Sequence, residues 1–239
     1  MCLPDAYRGR LFSILGDSIS TLADYSEPHD AAFYEGMRKF EADVFVPDDT
    51  WWGRVIDRLG GTLLVNHSIS GSTVTDHSDY CIPSYGCSDA RTAALHRGNE
   101  LPDVVMIYMG INDWGRGVRV MPGGASDAGD LTVFSVAYRT MLEKLRHCYP
   151  GAEIWCMTIP ASVCTARENF SFPYRYGGRH IEEYCAAIRS AAEACGCRVI
   201  DLYRSAERHD TIDGFHPNKQ GMETIADAVL RELRLEGVK

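Results

Sequence analysis

The chain has 239 residues, enough for one large domain with a core of its own. It carries 24 Lys+Arg against 33 Asp+Glu, a formal net charge of −9. That balance argues against a general nucleic-acid binder, which needs a basic face to neutralise phosphates, and no apolar run approaches the length of a membrane span.

The N-terminal stretch MCLPDAYRGR lacks the charged-then-apolar plan of a signal peptide. The nine cysteines are an odd number and include no Cys-x-x-Cys pair. The expectation is a cytoplasmic protein with mostly free thiols. Cys81 and Cys87 share one loop and are the one pair singled out as a candidate bridge.

The first strand is expected over Leu11–Leu15, within LFSILGDSIS. It stops abruptly at Gly16-Asp17-Ser18. Taken alone this is ordinary turn chemistry. The alternative is a serine presented at a strand end as a nucleophile.

Trp52, Val55, Ile56 and Leu59 then recur at helical spacing, ahead of a stop at Gly60-Gly61. A second strand is expected over Thr62–Asn66. It leads into NHSISGSTV, where Gly71 occupies a Ser-Gly-Ser turn. A third, Val104–Met109, runs into the tetrapeptide GIND, which places Asn112 on a loop leaving the strand.

The stripe Phe134, Tyr138, Met141, Leu142 and Leu145 predicts a helix closed by Pro150-Gly151. Glu153–Met157 is a fourth, weaker strand. Ile181, Tyr184, Cys185, Ile188 and Ala192 predict the next helix, and Arg198–Leu202 a fifth strand. The last helix follows from Met222, Ile225, Ala226, Val229 and Leu233, with Pro217 as its first position.

Four of the five strands show little polar alternation, as strands covered on both faces do. Strand and helix alternate. The fold class is therefore α/β with a doubly wound parallel sheet, in a single domain over residues 1–239. Long irregular segments (21–49, 72–89, 110–129 and 161–179) follow the strands at their C-terminal ends, the edge where this class binds ligands. Their side chains Trp114, Arg116, Tyr174 and Tyr176 are the candidate substrate contacts.

The chain lacks a phosphate loop, a dinucleotide fingerprint, a His-Glu-x-x-His helix and a complete Gly-x-Ser-x-Gly elbow. What remains is DGFHPN, in which Asp213 lies three residues before His216. That spacing lets the carboxylate hold one ring nitrogen and leave the other facing outward. Gly71 N–H and the Asn112 amide are candidate donors to a developing oxyanion. Each block is unexceptional by itself, but all would converge on one edge of one sheet.

In this order and spacing, Gly-Asp-Ser, a glycine after the second strand, Gly-x-Asn-Asp and Asp-x-x-His-Pro resemble the SGNH hydrolases, also called the GDSL esterase/lipase family. The resemblance spans nearly the whole chain, although the first block reads Gly-Asp-Ser-Ile, not Gly-Asp-Ser-Leu. It implies a flavodoxin-like three-layer α/β/α sandwich with a mostly parallel five-stranded sheet. It implies Ser18 as nucleophile, His216 as base and Asp213 as its orienter. Ser18 N–H, Gly71 N–H and Asn112 would form the oxyanion hole, with no metal or cofactor.

The expected reaction is serine ester hydrolysis through an acyl-enzyme, removing short acyl groups, acetyl above all, from a sugar or other polar alcohol. The alternatives are a lipase or acyl-CoA thioesterase of the same family, or a carbohydrate-binding protein on this scaffold that has lost turnover.

Overall fold

The computed structural model describes residues 3–76, 85–121 and 129–236. Cys81 lies outside them, and so therefore does its suggested pairing with Cys87. Five strands form the central sheet: β1 Leu11–Gly16, β2 Thr62–Ser68, β3 Val104–Tyr108, β4 Glu153–Met157 and β5 Arg198–Ile200. Their spatial order is β2-β1-β3-β4-β5, and every neighbouring pair is parallel. This is the flavodoxin-like 2-1-3-4-5 order, whose topological switch point lies between β1 and β3.

Four long helices cover the sheet: α1 Trp51–Leu59, α2 Phe134–Cys148, α3 Ile181–Ala194 and α4 Lys219–Glu236. Strand side chains alternate between the two faces, and here both sets are apolar. Val104, Met106 and Tyr108 of β3 join a core with α1 and α4, while Val105 and Ile107 join a second core with α2 and α3. The sheet is thus sandwiched between two helical layers, which is why its strands read as continuous apolar runs.

Three expectations change. Strand β5 ends at Ile200, because Leu202 opens a short helix, Leu202–Ser205. Helix α4 starts two residues after Pro217: the Asn218 side chain caps it, accepting from Gly221 N at 2.9 Å, while Pro217 bridges back to Thr211. Asn112 is not on a loop but on a one-turn helix, Ile111–Gly115, entered through Gly110 at φ 125°. Among the described residues, no helix is long and apolar enough to cross a membrane.

Candidate active site

The C-terminal ends of β1, β2 and β3 bring the blocks together. Directly after β1, Ser18–Ser20 forms a 3₁₀ turn. Gly16 is required there by space rather than by backbone angle: a Cβ would come within 2.5 Å of Ser68 Oγ and 2.7 Å of Ser20 Cβ. Asp17 caps the turn, its Oδ1 accepting from Ile19 N at 3.1 Å. Ser20 anchors it from behind. Its carbonyl accepts from Trp52 Nε1 and from Asn66 Nδ2, both at 2.9 Å.

Ser18 is only 4% exposed, and its Oγ lies 2.9 Å from His216 Nε2. His216 Nδ1 lies 2.7 Å from Asp213 Oδ2. The other carboxylate oxygen, Oδ1, accepts from the amides of Phe215 at 3.0 Å and His216 at 2.9 Å. Burial pushes the Asp213 pKa up, but the hydrogen bonds from the His216 ring and from the backbone outweigh it. The carboxyl is held well below its ordinary value and is ionised at neutral pH. That charge fixes the proton on Nδ1 and leaves Nε2 able to accept from Ser18.

The loop carrying this pair is itself tied down. Ser162 Oγ donates to Gly214 O at 2.6 Å, and Tyr34 Oη donates to Pro217 O at 2.8 Å. Phe33, next to Tyr34, stacks flat on the His216 ring with centroids 3.6 Å apart and planes 8° from parallel. Sequence reading missed Phe33, which lies in an irregular segment, 183 residues before His216.

Among the described residues, the backbone amides of Ser18 and Gly71 are not spent on any turn or loop hydrogen bond to the backbone. Gly71 has φ 74°, a conformation that favours glycine. Asn112 Nδ2 donates to Ser72 O at 2.9 Å, which occupies one amide hydrogen and leaves the second. Asp113, also missed, ties the two segments together. Its buried carboxylate accepts from Val74 N at 2.8 Å, Thr75 N at 3.1 Å and Thr75 Oγ1 at 2.6 Å. The signal lay in the aspartate that ends GIND.

The substrate-contact expectations divide. Trp114 is 1% exposed and belongs to the core. Its one-turn helix directs it inward, where it stacks on Phe172 at 5.6 Å and meets Phe215 at 6.2 Å. It supports the loops from inside and is not a platform open to solvent. Tyr174 is half-buried and accepts from Arg208 at 3.1 Å, whereas Arg116 and Tyr176 are exposed.

Asp17 is buried, and desolvation pushes its pKa up to about 7, against the lowering effects of the Ile19 amide and Arg91. A carboxyl whose folded pKa exceeds its unfolded value favours the folded state below the unfolded pKa and loses that contribution as pH rises. The window runs from about 4 to about 7. His67 and the buried His209, both held down to about 4 chiefly by burial, act oppositely over much of the same range. The difference between variants isolates Asp17. Thermal melts should show Asp17→Asn gaining on the wild type as pH rises from about 4 to about 7. A gap independent of pH would contradict this.

A hydroxyl paired with an imidazole that is paired with an ionised carboxylate is the constellation of a serine hydrolase. The chain belongs to the GDSL-like Lipase/Acylhydrolase family, whose model matches residues 10–164, and is a carboxylic ester hydrolase.

Its fold is shared with a protein described as a GDSL-like lipase from Bacteroides ovatus ATCC 8483. The two are 25% identical, with a TM-score of 0.71 over 95% of this chain and 99% of the other. A similarly described protein from Bacteroides uniformis ATCC 8492 is 27% identical, with a TM-score of 0.69 over 95% and 96%. A carbohydrate acetylesterase family member from Sinorhizobium meliloti, 19% identical with a TM-score of 0.58 over 95% and 98%, shares the fold. No curated protein matches the sequence.

Proposed function

We propose that Ser18 is the nucleophile of an acyl-enzyme mechanism acting on short acyl esters of a polar alcohol, with acetyl the preferred group. The observation that carries the mechanism is the unbroken relay from Ser18 Oγ through His216 to Asp213, at 2.9 and 2.7 Å. Ser18 Oγ attacks the ester carbonyl carbon as His216 Nε2 takes its proton. The tetrahedral oxyanion receives hydrogen bonds from Ser18 N, Gly71 N and the second amide hydrogen of Asn112. Collapse expels the alcohol, which leaves with the proton from His216. Water then attacks the acyl-enzyme by the same route in reverse.

The choice of a small acyl group is supported by the loops beside His216. Phe33 closes one face of the imidazole, and the aromatic set around Trp114 is packed inward. What the loops around Trp114 and Phe172 expose is polar or amphipathic, namely Arg116 and Tyr176, which suits a hydrogen-bonding alcohol better than an alkyl tail.

A second reading has its own observation. Met37, Phe40 and Val46 are exposed, and their segment reaches the site where the Arg38 guanidinium lies 5.1 Å from the Phe33 ring centroid. That surface favours a longer or more apolar ester.

A series of p-nitrophenyl esters, run beside acetylated oligosaccharides and acyl-CoAs, decides between them. The expected result is a kcat/KM maximum at acetyl or propionyl, with acetate released from a sugar. A maximum at long chains would overturn the short-acyl proposal in favour of the apolar surface.

A further inference from the structure

Arg91 is 1% exposed, although it lies in a polar stretch and in a helix of only four residues, Asp89–Thr92. Its guanidinium reaches the ends of two strands and the turn beyond them. Nη2 donates to Gly16 O at 2.8 Å and to His67 O at 2.6 Å; Nε donates to His67 Nδ1 at 3.3 Å; Nη1 donates to Ser72 Oγ. Burial of a guanidinium is costly unless its donors are satisfied. Here they are spent on backbone and side-chain acceptors around the active site, and Arg91 itself is too deep to touch a substrate.

The three acceptor positions share one property. Gly16 is two residues before Ser18. His67 opens the segment that leads to Gly71. Ser72 follows Gly71, and its carbonyl accepts from Asn112 Nδ2 at 2.9 Å. Each proposed oxyanion donor is therefore one or two steps from an atom that Arg91 holds.

We infer that Arg91 is the positioning residue of the oxyanion hole: it fixes the Gly71–Ser72 turn against the end of β1 and, through the Ser72 carbonyl, aims the Asn112 amide. This rests on the assignment of Ser18 N, Gly71 N and Asn112 as the donors. A lysine offers a point charge on a flexible stem and cannot reproduce the planar fork, so Arg91→Lys keeps the charge and loses the geometry. Donors that matter only when the oxyanion forms affect kcat more than KM.

The test is steady-state kinetics on Arg91→Lys, Asn112→Ala and the double variant. Asn112→Ala is expected to lower kcat by about 10²–10³-fold, the usual effect of losing one oxyanion donor. Arg91→Lys should lower kcat by roughly tenfold or more with KM within about threefold, and its effect should shrink in the Asn112→Ala background, because residues that act as one unit are not additive.

If Arg91→Lys does not fold, Ser72→Ala decides. It removes the hydroxyl that accepts from Arg91 but keeps the carbonyl that holds Asn112, and a fall in kcat with KM unchanged is the expected result. A folded Arg91→Lys with normal kcat, or a normal Ser72→Ala where the first variant cannot be made, overturns the inference. Equal, fully additive losses in both backgrounds do so too. Normal kcat in Asn112→Ala alone instead overturns the donor assignment beneath it.

Discussion

Ser18→Ala is expected to leave a folded protein that has lost ester hydrolysis by about three decades or more, the scale for removing an activated nucleophile. The substitution deletes one oxygen atom from a 3₁₀ turn held by other groups. Asp17 caps the turn and the Trp52 and Asn66 side chains fix Ser20, so the backbone has no reason to move. What disappears is the atom that forms the covalent bond. Circular dichroism and the melting temperature should stay near wild type while kcat collapses. A folded variant with near-normal turnover would remove Ser18 from the mechanism.

The loss in His216→Ala should be of similar size, again about three decades or more. Without the imidazole, Ser18 has no acceptor for its proton, and Asp213 keeps its two backbone hydrogen bonds but has nothing to orient. Because the serine and the histidine act as a unit, the double variant should be little worse than either single one. A double variant whose losses multiply would contradict the pairing seen at 2.9 Å.

Much of this architecture is readable in the sequence because the chemistry that makes it is local. Strand β3 is apolar at every position since both its faces are buried, and a run such as Val104–Tyr108 has few other homes. The helices announce themselves by stripes that fall on one face. Asp213 and His216 are three residues apart, so their contact is nearly dictated by spacing.

The misreadings have the opposite character. Gly16 reads as part of an ordinary turn, but its need is room for Ser68, which comes from a neighbouring strand. Trp114 looks like a loop aromatic, yet the one-turn helix after Gly110 sends it into the core. Arg91, among Ser, Asp and Thr, carries no signal of its role in the sequence. Its burial is set by acceptors 19 to 75 residues away. Phe33 meets His216 only because the chain folds the two ends together. Long-range contacts of this kind leave no period and no spacing to read.

The most direct test of the acyl-enzyme account is to label the wild-type protein with a fluorophosphonate and map the adduct by mass spectrometry of its peptides. The account predicts a single stoichiometric adduct on Ser18, slowed strongly in His216→Ala and absent in Ser18→Ala. Labelling that persists in Ser18→Ala, or an active wild-type enzyme that takes up the probe at another residue, would contradict it.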